Sequence, residues 1–199
     1  MRWDLLFDDL ESQLDQEQRD EERALALEEE RLRLGRLSLR DRLVAMGRAV
    51  GDDSVGSIRI ELRGARVLDV RPLAFGRDWM SAAVHPTAPG GGQCIVPIAA
   101  IAAVLPTSGQ LEPSLESPPT STARVADRIG LPFVLRDLCR RRTPVHLTTD
   151  DGRVHGTIDR VARDHLDLAM HDPGTVRRDR EVRGTRIVPL EQIVLVAFS

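Results

Sequence analysis

The chain has no lysine, no asparagine and no tyrosine anywhere in its 199 residues. All 28 basic residues are arginine, a bias that fits a GC-rich coding sequence, so arginine abundance alone does not point to nucleic acid. Aromatic residues make up only 3% of the chain, which requires aliphatic cores and leaves few rings on which bases could stack. The two cysteines, Cys94 and Cys139, form no C-x-x-C motif. Reduced thiols in a cytoplasmic protein are the expectation. No apolar run approaches the roughly 18–20 residues of a membrane span, so no membrane partner is expected. The N-terminus is acidic rather than basic and then apolar, unlike a signal peptide. The chain also lacks G-x-S-x-G, a phosphate loop and any Cys–His arrangement; Gly90-Gly91-Gly92 is not followed by Lys and Ser/Thr. No enzyme activity, no catalytic residue, no metal and no cofactor are expected.

What is present is a repetition. Ile95-Val96-Pro97-Ile98-Ala99-Ala100-Ile101 returns as Ile187-Val188-Pro189-Leu190-Glu191-Gln192-Ile193. Upstream, Phe75 to His85 aligns without a gap with Val161 to His171, matching Arg77-Asp78 to Arg163-Asp164. Leu39-Arg40-Asp41 matches Leu135-Arg136-Asp137. Three matches in the same order indicate internal duplication, and two copies suggest tandem domains rather than a solenoid, which needs three or more units.

Charge is uneven. Residues 1–35 carry twelve acids against five arginines, in a chain whose overall net charge is −3. That segment reads as one helix over 2–34, free of Pro and Gly, with Asp15/Arg19 and Glu29/Arg33 spaced as i,i+4 pairs. Trp3, Phe7, Leu10 and Leu14 form an apolar stripe at helical spacing. A second helix over 37–50 precedes short strands at 58–62, 67–73, 79–85, 93–97 and 99–105. A Pro/Ser-rich segment over 107–123 reads as a linker with little to bury. The second unit starts with a short helix at 124–129. Pro132 suits the first turn of the next helix, 133–142. Strands follow around 145–149, 154–161 and 165–171, with Asp151-Gly152 as the hairpin turn, and the tail supplies the last two. Strand parity in this unit sets Leu166, Leu168 and Met170 on one face and His165, Asp167, Ala169 and His171 on a polar, solvent-facing one.

In the second copy, Val154-His155-Gly156-Thr157-Ile158, Asp164-His165-Leu166-Asp167-Leu168 and Ile187 to Ile193 carry a resemblance. A short helix, five strands and a 3₁₀-like turn before the last strand resemble the Sm-like barrels of the LSm and Hfq families and, more broadly, the SH3-like small barrels. The likeness covers about 65 residues in each half. Hfq-type proteins bind RNA through an aromatic and a Lys-His pair in the last motif; Val188, Pro189 and Leu190 stand there instead.

The expected fold class is α+β: a long N-terminal helix followed by two small SH3/Sm-like β-barrels, each preceded by a short helix. The expected segments are an acidic helix over 1–35, a first barrel over 36–106, the linker over 107–123 and a second barrel over 124–199. The expected function is that of a non-enzymatic interaction or adaptor protein. Its protein partner, or a second copy of itself, is engaged through Trp3, Phe7, Leu10 and Leu14, with Trp79 as a further contact, since aromatics dominate interface energy. The alternative is an RNA- or DNA-binding regulator using Arg177, Arg178, Arg180, Arg183 and Arg186.

Overall fold

The computed structural model of the chain describes residues 2–49, 57–84, 92–116, 125–174 and 177–198; the side chains of 2–12, 14, 15, 49, 125 and 179 lie outside that description. The chain divides into two compact units, Met1–Ser38 and Leu39–Ser199.

The first unit is helix α1 (Arg2–Arg36). Its described ion pairs are at i,i+3 spacing. Arg33 takes both oxygens of Glu30, at 2.6 and 2.5 Å. Such exposed pairs are screened by solvent and add little to the stability of the helix.

The second unit is built on one sheet. Helix α2 (Leu39–Ala49) precedes β1 (Ile58–Leu62), β2 (Arg66–Phe75), β3 (Trp79–Val84), β4 (Gln93–Pro97) and β5 (Ile101–Leu105). A short α3 (Ser108–Leu111) and a 3₁₀ turn (Pro113–Leu115) follow. After a second 3₁₀ turn (Val125–Arg128), α4 (Leu131–Arg140) leads to β6 (Pro144–Thr149), β7 (Gly152–Val161), β8 (His165–Met170), β9 (Gly184–Pro189) and β10 (Ile193–Phe198). The strands form one open antiparallel sheet in the order β5-β1-β2-β3-β4-β10-β6-β7-β8-β9. The expectation of two separate barrels is corrected here: neither half closes on itself, and β10 pairs with β4 of the first half as well as with β6.

The two halves nevertheless share their local geometry. Both Ile-Val-Pro segments fold as strand, 3₁₀ turn, strand. The capping prolines have nearly the same backbone, Pro97 at φ −61°, ψ 132° and Pro189 at φ −58°, ψ 137°. The matched Arg-Asp turns make the same hydrogen bonds. Gly76 N–H donates to Trp79 O at 2.8 Å and Ala162 N–H to His165 O at 2.9 Å. Ile98 N–H donates to Asp78 O at 3.0 Å and Leu190 N–H to Asp164 O at 2.7 Å. The matched arginines grip the same turn: Arg40 donates to Gly76 O, Arg136 to Ala162 O. Register breaks at equivalent places, between Pro72 and Ala74 and between Ile158 and Arg160. In the first half Pro72 stands opposite Ala82 and the residue skipped by the bulge is Leu73.

Burial explains why the halves fuse. One core gathers Leu43, Ile58, Ile60, Leu62, Met80 and Val96, together with Val194, Leu195 and Ala197 from β10. The other gathers Leu135, Leu147, Ile158, Leu166, Leu168 and Val196, together with Trp79 and Ile95 from the first half. Alternate residues of β4 and β10 point to opposite faces, so one strand pair feeds both cores. Each fully buried Leu or Ile contributes about 1.5–3 kcal/mol, which makes separation of the halves costly.

Part of the expected linker is also folded. Gln110 is buried at the start of α3, accepting from Thr107 N–H and donating to Ser57 O, each at 3.0 Å. The buried Ser114 hydroxyl accepts from Arg42 of α2 at 2.9 Å. Residues 117–124 lie outside the described residues.

Candidate interaction surfaces

The sequence-predicted contact residues part company in the structure. Trp3, Phe7, Leu10 and Leu14 all lie on α1, with side chains outside the described residues. Trp79 is a correction. It is 8% exposed, belongs to the core of the second half, and its indole N–H donates to Ile129 O at 2.9 Å. It is an internal contact that ties β3 to the segment entering α4. Asp78 beside it accepts from Leu131 N–H at 2.8 Å, and Arg77 N–H donates to Ile129 O at 2.9 Å. Arg63 adds a hydrogen bond to Glu191 O at 2.6 Å. The halves that the linker left free to separate are thereby knitted together.

The arginine segment is largely occupied with folding. Arg177 makes a two-pronged pair with Asp159, at 2.9 and 2.7 Å, and Arg142 joins the same carboxylate at 2.7 Å. These hydrogen bonds, Arg177's foremost, hold Asp159 below the ordinary carboxylate value of 3.8. Arg183 pairs with Asp172, and Arg180 with Glu181 at 3.2 Å. Arg178 and Arg186 are exposed, the latter on β9. Each pair with a carboxylate cancels a charge that a phosphate would need.

Three histidines that sequence reasoning left apart converge on β6, β7 and the end of β8. His146 and His155 face each other across the β6–β7 pair with ring centroids 4.4 Å apart. His171 stands edge-on to His155 at 5.1 Å. His171 is buried, against the expectation that it shares a solvent face with His165. Its Nδ1 lies 3.1 Å from Asp172 O and its Nε2 2.9 Å from the Thr157 hydroxyl. A carbonyl only accepts, so Nδ1 carries a hydrogen, while Nε2 shares a hydrogen bond with the Thr157 hydroxyl. Both ring nitrogens of His155 are buried and have no hydrogen-bond partner.

The pairing was hidden by a turn placed one residue too late, which moves every cross-strand partner by two. With Asp151-Gly152 as the two-residue turn, His146 would oppose Thr157. The structure turns at Asp150-Asp151, pairing Thr149 with Gly152 and hence His146 with His155. Gly152 sits at φ +140°, a backbone conformation that side chains disfavour, and this places it as the first residue of β7 rather than within a regular turn.

Burial foremost, then the neighbouring positive groups, pushes His155 below the usual histidine value of 6.5; burial does the same to His146. The unfolded chain therefore binds more protons than the folded one just below that value. Stability is fully present above pH 6.5 and falls as pH drops through it. Asp159 acts only in a lower window, below its ordinary 3.8, so the two effects separate on a pH titration. His155→Phe is expected to flatten the upper step and to raise stability at neutral pH by about 1 kcal/mol, since it removes two unpartnered polar atoms. Urea unfolding at several pH values between 5 and 8 reads both.

Other titratable groups lie apart. Asp164 and His165 form a pair at 2.7 Å on an exposed turn. Cys94 is buried, which pushes its thiol up to about 11 and leaves it unreactive at neutral pH. The Cys139 thiol donates to Asp159 O. Among the described residues no three His, Cys, Asp or Glu side chains are arranged to hold a metal ion, and no helix is long and apolar enough to cross a membrane. Comparison with family models, with curated proteins and with solved structures gives no significant match.

Proposed function

We propose that this is a non-enzymatic interaction protein, in which the fused sheet is a scaffold and α1 is the arm that engages a protein partner. The observation that carries this reading is unspent apolar surface on an acidic helix: Leu25, Leu27 and Leu32 are 66%, 61% and 54% exposed. At about 100° per residue, positions 25 and 32 fall on the same side of α1 as positions 3, 7, 10 and 14. An interrupted apolar seam running the length of a helix supports docking into a groove, with the surrounding acids favouring a basic rim. Each half of the sheet reads as a small Sm-like or SH3-like barrel unit opened at one seam. A cytoplasmic setting suits the two unpaired cysteines.

The test is a pair of double variants in the full chain, Trp3→Ala/Phe7→Ala and Leu25→Glu/Leu32→Glu. Both are expected to lose the protein crosslinked to α1 in native extract while melting like wild type. Unchanged crosslinking in both would overturn the reading. The nucleic-acid alternative is weaker, because Arg177, Arg180 and Arg183 already face carboxylates. It requires oligonucleotide binding that falls steeply with salt.

A further inference from the structure

The duplication shows one replacement that strand register does not require. Counting from the matched Arg-Asp turns, the crossing of β6 and β7 at His146 and His155 is equivalent to the crossing of β1 and β2 at Arg59 and Asp69. In the first half that crossing is closed by a two-pronged ion pair, Arg59 to Asp69 at 3.0 and 3.1 Å. In the second half two imidazoles stand there, with ring centroids 4.4 Å apart. Both crossings keep the same pairing, so the histidines are not needed to set it. What they add is two half-buried rings with nitrogen lone pairs, side by side on neighbouring strands.

The pair suits a metal ion. Both nitrogens of His155 are buried without a hydrogen-bond partner, a costly state that coordination would relieve. Burial foremost, with Arg153 among the neighbouring charges, favours the neutral form of His146 and His155 at pH 7, the form in which imidazole coordinates. Two imidazoles on one ion, each nitrogen about 2.0–2.1 Å from it, set their ring centres about 4.5–5 Å apart. The spacing of this pair matches the short end of that range. The short end belongs to ligands about 90° apart, as in the tetragonal sites of Cu(II) and Ni(II) rather than the tetrahedral sites of Zn(II). The outer torsion of a histidine is soft, so either ring can turn a nitrogen into the gap without moving its backbone. His171 is not a third ligand, because its nitrogens are engaged by Asp172 O and the Thr157 hydroxyl. Arg153 opposes a cation, and Asp172, itself paired with Arg183, offsets it only in part, so binding is of moderate strength.

We propose that His146 and His155 together hold one divalent ion of the Cu(II) or Ni(II) class across the β6–β7 pair, with water completing its coordination. The two ligands come from neighbouring strands, so the bound ion staples the hairpin and stabilises the folded chain by mass action. The site uses no residue of α1 and does not depend on the partner proposed for that helix.

Calorimetric titration of the full chain at neutral pH with Cu2+, Ni2+ and Zn2+, each metal alone, tests the site. One ion per chain is expected, with Cu2+ the tightest. His146→Asn and His155→Phe are each expected to weaken Cu2+ binding by more than the roughly tenfold that even an outer partner of a metal ligand is worth. His155→Phe is expected to be more stable than wild type at neutral pH, so its loss of binding does not come from unfolding. His165→Asn, on the exposed turn, is the control and is expected to bind like wild type. A second measurement is independent of affinity: the electron paramagnetic resonance spectrum of the Cu2+ complex is expected to show two imidazole nitrogens in wild type. No binding by wild type, an affinity that neither variant changes, or a spectrum with a single imidazole nitrogen overturns the proposal. Loss of binding in His165→Asn overturns it as well, because the ion then sits on the Asp164–His165 turn.

Discussion

Replacing Trp79 with alanine is expected to cost about 3–5 kcal/mol, the range for emptying a buried aromatic site. The loss falls on both halves at once, because Trp79 stands on β3 of the first half while its ring belongs to the core of the second. Gly76 packs directly on that ring: a Cβ there would lie 2.2 Å from the indole nitrogen and 2.7 Å from Ile129 O. The neighbours that would have to collapse into the cavity include backbone held by the Arg77 and Asp78 hydrogen bonds, so relaxation is limited. Ile129 O keeps the Arg77 N–H when the indole is removed, so the cavity rather than an unsatisfied carbonyl dominates the cost. Trp79→Phe separates the two contributions. It keeps most of the ring, loses the indole N–H and is expected to cost substantially less than the alanine variant. Urea midpoints of the three proteins decide this. A midpoint for Trp79→Ala within error of wild type would mean that the halves are held together elsewhere.

The second large effect is expected at Gly156, in the middle of β7. A Cβ added there would lie 2.3 Å from Ala169 O, on the neighbouring strand β8. The obstacle is backbone in the interior of the sheet, not the far end of a side chain that could swing away. Gly156→Ala must therefore pull β7 from β8 beside the buried Thr157, His171 and Leu168, at a cost of about 3 kcal/mol. The glycine at this position is explained by the close approach of the two strands. Gly35, where an added Cβ would meet nothing within 4 Å, is the control, and Gly35→Ala is expected to leave the melting temperature of the sheet unchanged. Comparable melts for the two variants would show that the strand contact is looser than drawn.

Much of the local structure was legible because it rests on short-range rules. The Pro-containing segments predicted strand, turn and strand, and fold so at Pro97 and Pro189. The Arg-Asp pairs mark equivalent turns because both aspartate carbonyls cap the residue after the proline. Helix α1 follows from an uninterrupted run of helix formers. The misreadings share a cause, since each needed a partner far along the chain. Trp79 looked like an outward residue of its own strand, yet Ile129 and Leu131 cover it. Residues 107–116 looked like a polar linker until Arg42 met Ser114 and Gln110 met Ser57. The histidines were invisible while the hairpin turn was placed one residue too late, because that moves every cross-strand neighbour by two.

By itself, the order of residues determined that a compact β motif occurs twice, where its strands begin and end, that its cores are aliphatic, and that an acidic helix precedes it. Hydrophobic alternation, proline and glycine act over a few residues, so they are readable without any fold. Only the tertiary structure decided that the two motifs merge into one open sheet through β4 and β10, which side chains feed which core, and which strands are left at the ends. Strand pairing joins backbones whatever their side chains, and burial is settled by whichever surface arrives. The choice between a closed half and a shared joint therefore lies in the competition among distant strands for one another's edges.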